Sequence, residues 1–124
     1  QDELVCNLFY LCMNILEPLK EKYSSKGLVI NSCFRPVKSG TSQHEIGQAV
    51  DVGFKPASGK LSKKEYFEIA QVIRDTLTYD QLLLEYRGSD QYWIHISFNK
   101  EKNRKQVLTL KNDKTHAQGL VLLT

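Results

Sequence analysis

Asp80-Gln81-Leu82-Leu83-Leu84-Glu85-Tyr86-Arg87-Gly88-Ser89-Asp90-Gln91-Tyr92-Trp93-Ile94-His95-Ile96-Ser97-Phe98 reads as two strands folded about one turn. Asp80 to Tyr86 and Tyr92 to Phe98 are short apolar and aromatic runs, and Arg87 to Asp90 supplies the polar, glycine-containing turn of a hairpin. A hairpin makes the pair antiparallel. Side chains alternate along a strand, so Trp93, His95 and Ser97 share one face.

Working outward toward the amino terminus, Ala49 to Phe54 forms another strand. Ala49, Asp51 and Gly53 face one way, and Val50, Val52 and Phe54 the other, which aims Asp51 away from the core. Lys55 to Lys60 is a connector. Ser62-Lys63-Lys64-Glu65 is an S-x-x-E capping box that starts a helix presenting Phe67, Ala70, Ile73 and Leu77 to the core. Further out, Leu4, Leu8, Leu11, Ile15 and Leu19 are spaced by three and four, which predicts a helix from about Glu3 to Tyr23, bent where Pro18 removes an amide donor. Ser24 to Gly27 ends it, and Leu28 to Phe34 alternates as a strand. The polar stretch Val37 to Ser42 reads as a site loop. On the carboxyl side, Val107 to Leu110 and Leu120 to Leu123 are expected to form a terminal hairpin. Helices beside hairpins define an α+β domain with an antiparallel sheet, spanning residues 1–124 as one unit.

Composition narrows the function classes. Hydrophobic residues make up 41% of the 124, enough for one small core, and the longest apolar runs are too short to cross a bilayer. The net charge of +3 is spread among acids, without the basic and aromatic platform of a nucleic-acid binder, so no nucleic-acid partner is expected. Cys6, Cys12 and Cys33 contain no CxxC pair, and the three are expected to be small buried hydrophobes. Asp2 and Glu3 open the chain where a signal peptide would carry a basic region, so none is expected here. A monomer is expected.

Three residues can converge on the polar face of the sheet. His44 follows the polar loop, Asp51 lies on the strand just beyond it, and His95 lies mid-strand. Two imidazoles and one carboxylate suit a catalytic zinc, which takes three protein ligands and keeps one position for water. Small residues at Gly47 and Ala49 would let the backbone turn and leave room for a substrate chain. Arg35 is either a surface cation before Pro36 or a clamp for a carboxylate or developing oxyanion. Ser42 could bond a substrate backbone, and Ser97 could orient a ligand or line the pocket. His116 sits among polar residues and is expected to be exposed. A non-haem iron site also uses two histidines and a carboxylate, but commonly through a short His-x-Asp pair, whereas six residues separate His44 from Asp51.

The motifs Ser32-x-Phe34-Arg35, Ser42-x-His44-x-x-Gly47-x-Ala49-x-Asp51 and Trp93-x-His95-x-Ser97, in that order, resemble the zinc D-alanyl-D-alanine carboxypeptidase family. That family includes vancomycin-resistance D,D-peptidases and phage endolysins, and it shares its fold with hedgehog signalling domains. The similarity runs from Leu28 to Phe98 and is closest to the small phage and prophage branch. It implies helices on one face of the sheet and a zinc cleft on the other, with one Zn2+ per chain held by His44, Asp51 and His95. Arg35 would contact substrate or transition state, with Ser42, Trp93 and Ser97 at the substrate. Many members carry a catalytic acid three residues before the last zinc histidine, a position that is Tyr92 here. The small branch instead shows D-Q-L-x-x-E, matched by Asp80-Gln81-Leu82-Leu83-Leu84-Glu85, which makes Glu85 the candidate base and Asp90 its rival. The implied activity is hydrolysis of bacterial peptidoglycan peptides at the cell wall by a phage or prophage protein. The alternative is a zinc-containing cell-wall or virion binding module without hydrolysis.

Overall fold

A computed structural model describes residues 2–36, 40, 42–88 and 90–123. Of the expected site loop, Val37, Lys38, Ser39 and Thr41 lie outside the described residues, as does Ser89 of the hairpin turn. The architecture is α+β, with a six-stranded, mostly antiparallel open sheet packed against helix.

The amino-terminal helix is continuous in direction but not in type. Helix α1 (Asp2–Leu11) runs into a π-helical turn (Cys12–Leu16) and then into α2 (Glu17–Tyr23), with Pro18 in the first turn of α2. Proline there donates no amide, so the irregularity that Pro18 predicted falls in the wide turn just before it. The wide turn also solves a phase problem. Leu11, Ile15, Leu19 and Tyr23 recur every four residues, a spacing that drifts around a regular α-helix of 3.6 residues per turn. The extra residue resets the phase, and all four are buried.

A 3-10 turn (Ser24–Lys26) leads to β1 (Leu28–Ser32), which is shorter than the expected strand because pairing with the next strand slips between Ile30 and Ser32. A second 3-10 turn (Gln43–Ile46) precedes β2 (Ala49–Phe54). Helix α3 (Lys63–Thr76) begins at the expected capping box, with both reciprocal bonds between Ser62 and Glu65 present. Its buried face is Tyr66, Ile69, Ala70 and Ile73; Phe67 and Leu77 are only half-buried. The expected face missed Tyr66, whose hydroxyl is satisfied by the Phe54 N–H at 2.8 Å, so the ring can be buried without loss.

Strands β3 (Gln81–Arg87) and β4 (Gln91–Ser97) form the expected antiparallel hairpin. Two further strands, β5 (Gln106–Leu110) and β6 (His116–Gln118), complete the sheet in the order β1-β2-β4-β3-β5-β6. The terminal hairpin therefore exists, but its second strand is His116–Gln118 and not Leu120 to Leu123. Leu120 and Leu123 instead pack against the core, where Tyr86 donates its hydroxyl to the Val121 carbonyl at 3.1 Å. β5 also pairs in parallel with β3, the one departure from an antiparallel sheet.

One core cluster joins Leu11, Ile15 and Leu19 of the first helix, Ile69 and Ile73 of α3, and the alternating residues Val50, Val52, Leu82, Leu84, Ile94 and Ile96 of the sheet. Each such side chain contributes roughly 1.5–3 kcal/mol when fully buried. The intervening residues occupy the opposite face. Asp51 pairs with His95, and His95 with Leu83, in one cross-strand row; Glu85 pairs with Trp93 in the next. Among the described residues no helix is long and apolar enough to cross a membrane.

Candidate metal centre

Register brings Asp51 and His95 together, since directly opposed residues on one face of an antiparallel pair lie within side-chain reach. Asp51 Oδ1 is 3.0 Å from His95 Nδ1. The third member comes from the 3-10 turn, which is held both by neighbouring residues and by residues far away in the chain. Ser42 caps it by accepting the His44 N–H at 3.2 Å, and the Arg35 N–H donates to the His44 carbonyl at 3.1 Å. Asn7 of α1 donates to the Ile46 carbonyl at 2.8 Å. Gln43 donates to Gln48 at 3.1 Å and to the buried carboxylate of Asp80 at 2.9 Å. Gly47 closes the turn at φ +75°, and a Cβ there would strike Leu4 and Leu8 of α1. Its missing side chain thus makes room for the helix and not for a substrate chain, and Ala49 is fully buried.

The His44 ring is 2% exposed, with Nδ1 lying 2.7 Å from the Cys33 carbonyl. A carbonyl only accepts, so Nδ1 carries the proton and Nε2 presents its lone pair. That Nε2 points to Asp51 Oδ2 at 3.4 Å, yet makes no hydrogen bond despite being buried. Candidate ligand atoms of His44, Asp51 and His95 all lie within 4.8 Å of one another, and the two rings meet edge to face at 5.1 Å. A buried nitrogen lone pair facing a carboxylate and a second imidazole is costly unless a cation sits among them. The group can therefore hold a metal ion. Burial alone would raise the Asp51 carboxyl, but the neighbouring His44 and His95 outweigh burial and hold the group well below the usual carboxylate range.

The remaining candidates separate by position. Glu85 is half-buried on the same sheet face as Asp51 and His95, one row away in the ladder. Burial pushes its carboxyl up, while His95 and a hydrogen bond with Trp93 pull it down; burial prevails. Tyr92 alternates to the other side of β4, donating its hydroxyl to the Leu61 carbonyl at 3.0 Å. An acid at that position would not share the face of His95. Asp90 is exposed in the turn and paired with Lys60. Arg35 is exposed, and its guanidinium has no ion pair among the described residues. Trp93 is half-buried, with the Arg87 guanidinium 5.5 Å above its ring.

Two expected substrate contacts are otherwise engaged. Ser42 spends its hydroxyl on the cap of the 3-10 turn. Ser97 is fully buried and accepts the Gln81 N–H at 3.0 Å, which places it in the sheet scaffold, out of reach of a substrate. The cysteines are all free, with Cys12 exposed and Cys6 and Cys33 half-buried, so the expectation of three buried thiols fails at Cys12. Cys33 matters through its carbonyl. His116 is exposed, as expected.

Sequence reasoning missed Asp80 as a support. It is 4% exposed and accepts from the Arg104 backbone N–H at 2.8 Å, from its Nε at 3.0 Å and Nη2 at 2.9 Å, and from Gln43. The signal available was an acid at the start of an apolar strand; its partners are distant in sequence. Beside the metal group, a groove of about 720 Å3 begins at Asp51 and Trp93 and runs over Val29 and Gly53. Comparison with protein-family models finds no match for this chain, and comparison with curated proteins finds none either.

Proposed function

We propose that this chain is a zinc peptidase, resembling the D-alanyl-D-alanine carboxypeptidase and endolysin family, that hydrolyses amide bonds in peptidoglycan stem or cross-bridge peptides. The observation that carries the metal reading is the buried, unpartnered His44 Nε2 aimed at Asp51 beside His95. Zinc bonds of about 2.0–2.2 Å in a tetrahedron put neighbouring ligand atoms roughly 3.3–3.5 Å apart. His44 Nε2 stands 3.4 Å from Asp51 Oδ2, at that spacing, and His95 Nδ1 stands somewhat closer, 3.0 Å from Asp51 Oδ1. His44 would bind through Nε2, its proton being committed to the Cys33 carbonyl, and His95 through Nδ1.

Bound zinc supplies a water of lowered pKa and polarises the scissile carbonyl. The protein's own groups do the rest. Glu85, on the same face as the ligands, takes a proton from the attacking water and returns it to the leaving amine nitrogen, while the hydroxyl adds to the carbonyl carbon. The pull of burial on Glu85 suits a group that must both accept and release a proton. Arg35, exposed and directly tied through its N–H to the His44 carbonyl, offers a cation to a substrate carboxylate or to the developing oxyanion. Trp93 lines the adjoining groove. The biological setting of this reading is the bacterial cell wall, with a phage or prophage protein as the agent.

The second reading is a zinc-holding wall-binding or virion module, and its support is Tyr92, which fills the family's usual acid position and turns toward the core. Elemental analysis together with mass spectrometry of purified peptidoglycan, incubated with and without a chelator, separates the two. One zinc per chain with chelator-sensitive release of peptide fragments is the expected result. Zinc without new fragments establishes the module instead, and absence of zinc rejects both.

A further inference from the structure

The amino-terminal helix is apolar on two sides, and the core uses only one of them. Leu11, Ile15 and Leu19 are buried, whereas Val5, Phe9 and Met13, spaced by four, are 63%, 59% and 53% exposed. Tyr10, also exposed, packs edge to face on Phe9 at 5.7 Å. Two neighbours extend this surface. Ile46 is exposed on the 3-10 turn that Asn7 ties to the helix, and Ile30 is exposed on β1, an edge strand of the sheet. These six are most of the large hydrophobic side chains exposed among the described residues, so the uncovered apolar surface is gathered on one flank. Along that flank a groove of about 510 Å3 starts at Cys12 and runs past Leu16, Glu17 and Lys20, between the helix and Leu28 and Ile30 of β1.

Area, shape and charge all fit a second copy of this chain. At roughly 150–250 Å2 per large side chain, six that are about half exposed leave roughly 600 Å2 of apolar surface. That is the upper end of the roughly 300–600 Å2 found for the largest patch on a monomer. A stable interface takes about 800 Å2 from each partner, which leaves about 200 Å2 for a polar rim. A two-fold contact uses the same patch on both copies, so the patch must hold both a ridge and the hollow that receives it. Here the ridge, Val5 to Met13, fills the amino-terminal half of the helix, and the hollow, from Cys12 onward, the carboxyl-terminal half. Antiparallel apposition about Cys12 therefore lays each ridge along the other copy's hollow. It also brings Asp2 of one copy toward Lys20 of the other, opposite charges at opposite ends of the helix.

We propose that the chain is a two-fold dimer in place of the expected monomer, joined through antiparallel copies of this helix centred near Cys12, with Phe9 and Met13 as the apolar anchors. The dimer is independent of the peptidase reading, since its surface holds none of the candidate metal ligands.

Sedimentation equilibrium over a micromolar concentration series should give the mass of two chains. Phe9→Glu should raise the dimer dissociation constant by about thirtyfold or more, the loss of one central aromatic anchor. Met13→Glu should act in the same direction; both positions face water in the single chain, so circular dichroism should be unchanged. A short bismaleimide should couple two copies through the exposed Cys12 and fail to do so in Cys12→Ser. A monomer at every concentration, or a dimer that both charged variants leave intact, overturns the proposal. Coupling that persists in Cys12→Ser overturns the antiparallel arrangement. Should the unaltered chain stay monomeric yet bind phosphatidylcholine vesicles, with binding lost in both charged variants, the face belongs to a lipid surface and the second copy is rejected.

Discussion

Replacing Asp80 by Ala tests whether the buried carboxylate holds the His44 turn to the sheet. Asp80 accepts four hydrogen bonds, three from Arg104 and one from Gln43. The Arg104 side chain is 56% exposed, so its guanidinium returns to water and its share is small. The Gln43 amide and the Arg104 backbone N–H lose a charged acceptor, each such bond being worth about 1.5–3 kcal/mol, so the loss is about 3 kcal/mol after partial rehydration. For a chain of this size that lowers Tm by about 10 °C. Burial by itself would raise the Asp80 carboxyl, but Arg104 and Gln43 outweigh burial and hold it below the usual carboxylate range. A depressed folded pKa means the stabilisation is fully present above the unfolded value, about 3.9, and is lost as pH falls through the folded one. Calorimetric melting of both proteins between pH 7 and pH 3 should therefore show a constant gap down to about pH 5 that closes below about pH 4. Equal melting temperatures at pH 7, or a gap that widens in acid, would refute the argument.

Glu85→Gln should keep its zinc and lose a hundredfold or more, roughly, in hydrolysis, because an amide cannot take the water proton; full activity in a zinc-loaded variant would move the base elsewhere. Arg35→Ala should leave zinc and melting temperature unchanged and slow peptidoglycan cleavage by about a hundredfold, the loss of one charged transition-state contact; unaltered kinetics would return it to a surface cation. His44→Ala and His95→Ala should each release the metal on elemental analysis and remove the rise in Tm that added zinc gives the native chain; full zinc in both would reject the ligand set. Gly27→Ala should cost more than about 1–3 kcal/mol in chemical denaturation, since φ is +69° and the new Cβ would press on the Lys55 carbonyl.

How much of this was legible in the sequence depended on the range of the interaction that decides each feature. The β3–β4 hairpin, the β2 alternation and the capping box of α3 are each settled within a few residues, and each reads directly. Deviations arise where a partner is far away in the chain. Leu120 to Leu123 have the apolar content of a strand, yet β5 takes His116–Gln118 as its partner, because the parallel edge of β3 already holds its other side and the last leucines are needed over Tyr86. Ser97 has the composition of a site residue, but its hydroxyl is spent on the Gln81 N–H across the hairpin. Gly47 reads as room for a substrate until α1 is folded against it.

The convergence of His44, Asp51 and His95 was legible for a physical reason: Asp51 and His95 lie on strands whose register fixes them side by side, and alternation puts both on one face. His44 required more, since a 3-10 turn has no register. Its direction comes from four anchors at once, Ser42, the Arg35 N–H, the Asn7 amide and Gln43, none of which a spacing rule contains. The same alternation decides between the two acid positions. Residue 92 is an odd number of steps from His95 along β4, which turns its side chain to the opposite face. Residue 85 reaches the site by pairing with Trp93, an even step from His95. With Tyr92 turned to the other face, Glu85 on the neighbouring strand is the acid that the ladder sets on the face of Asp51 and His95, one row away from them.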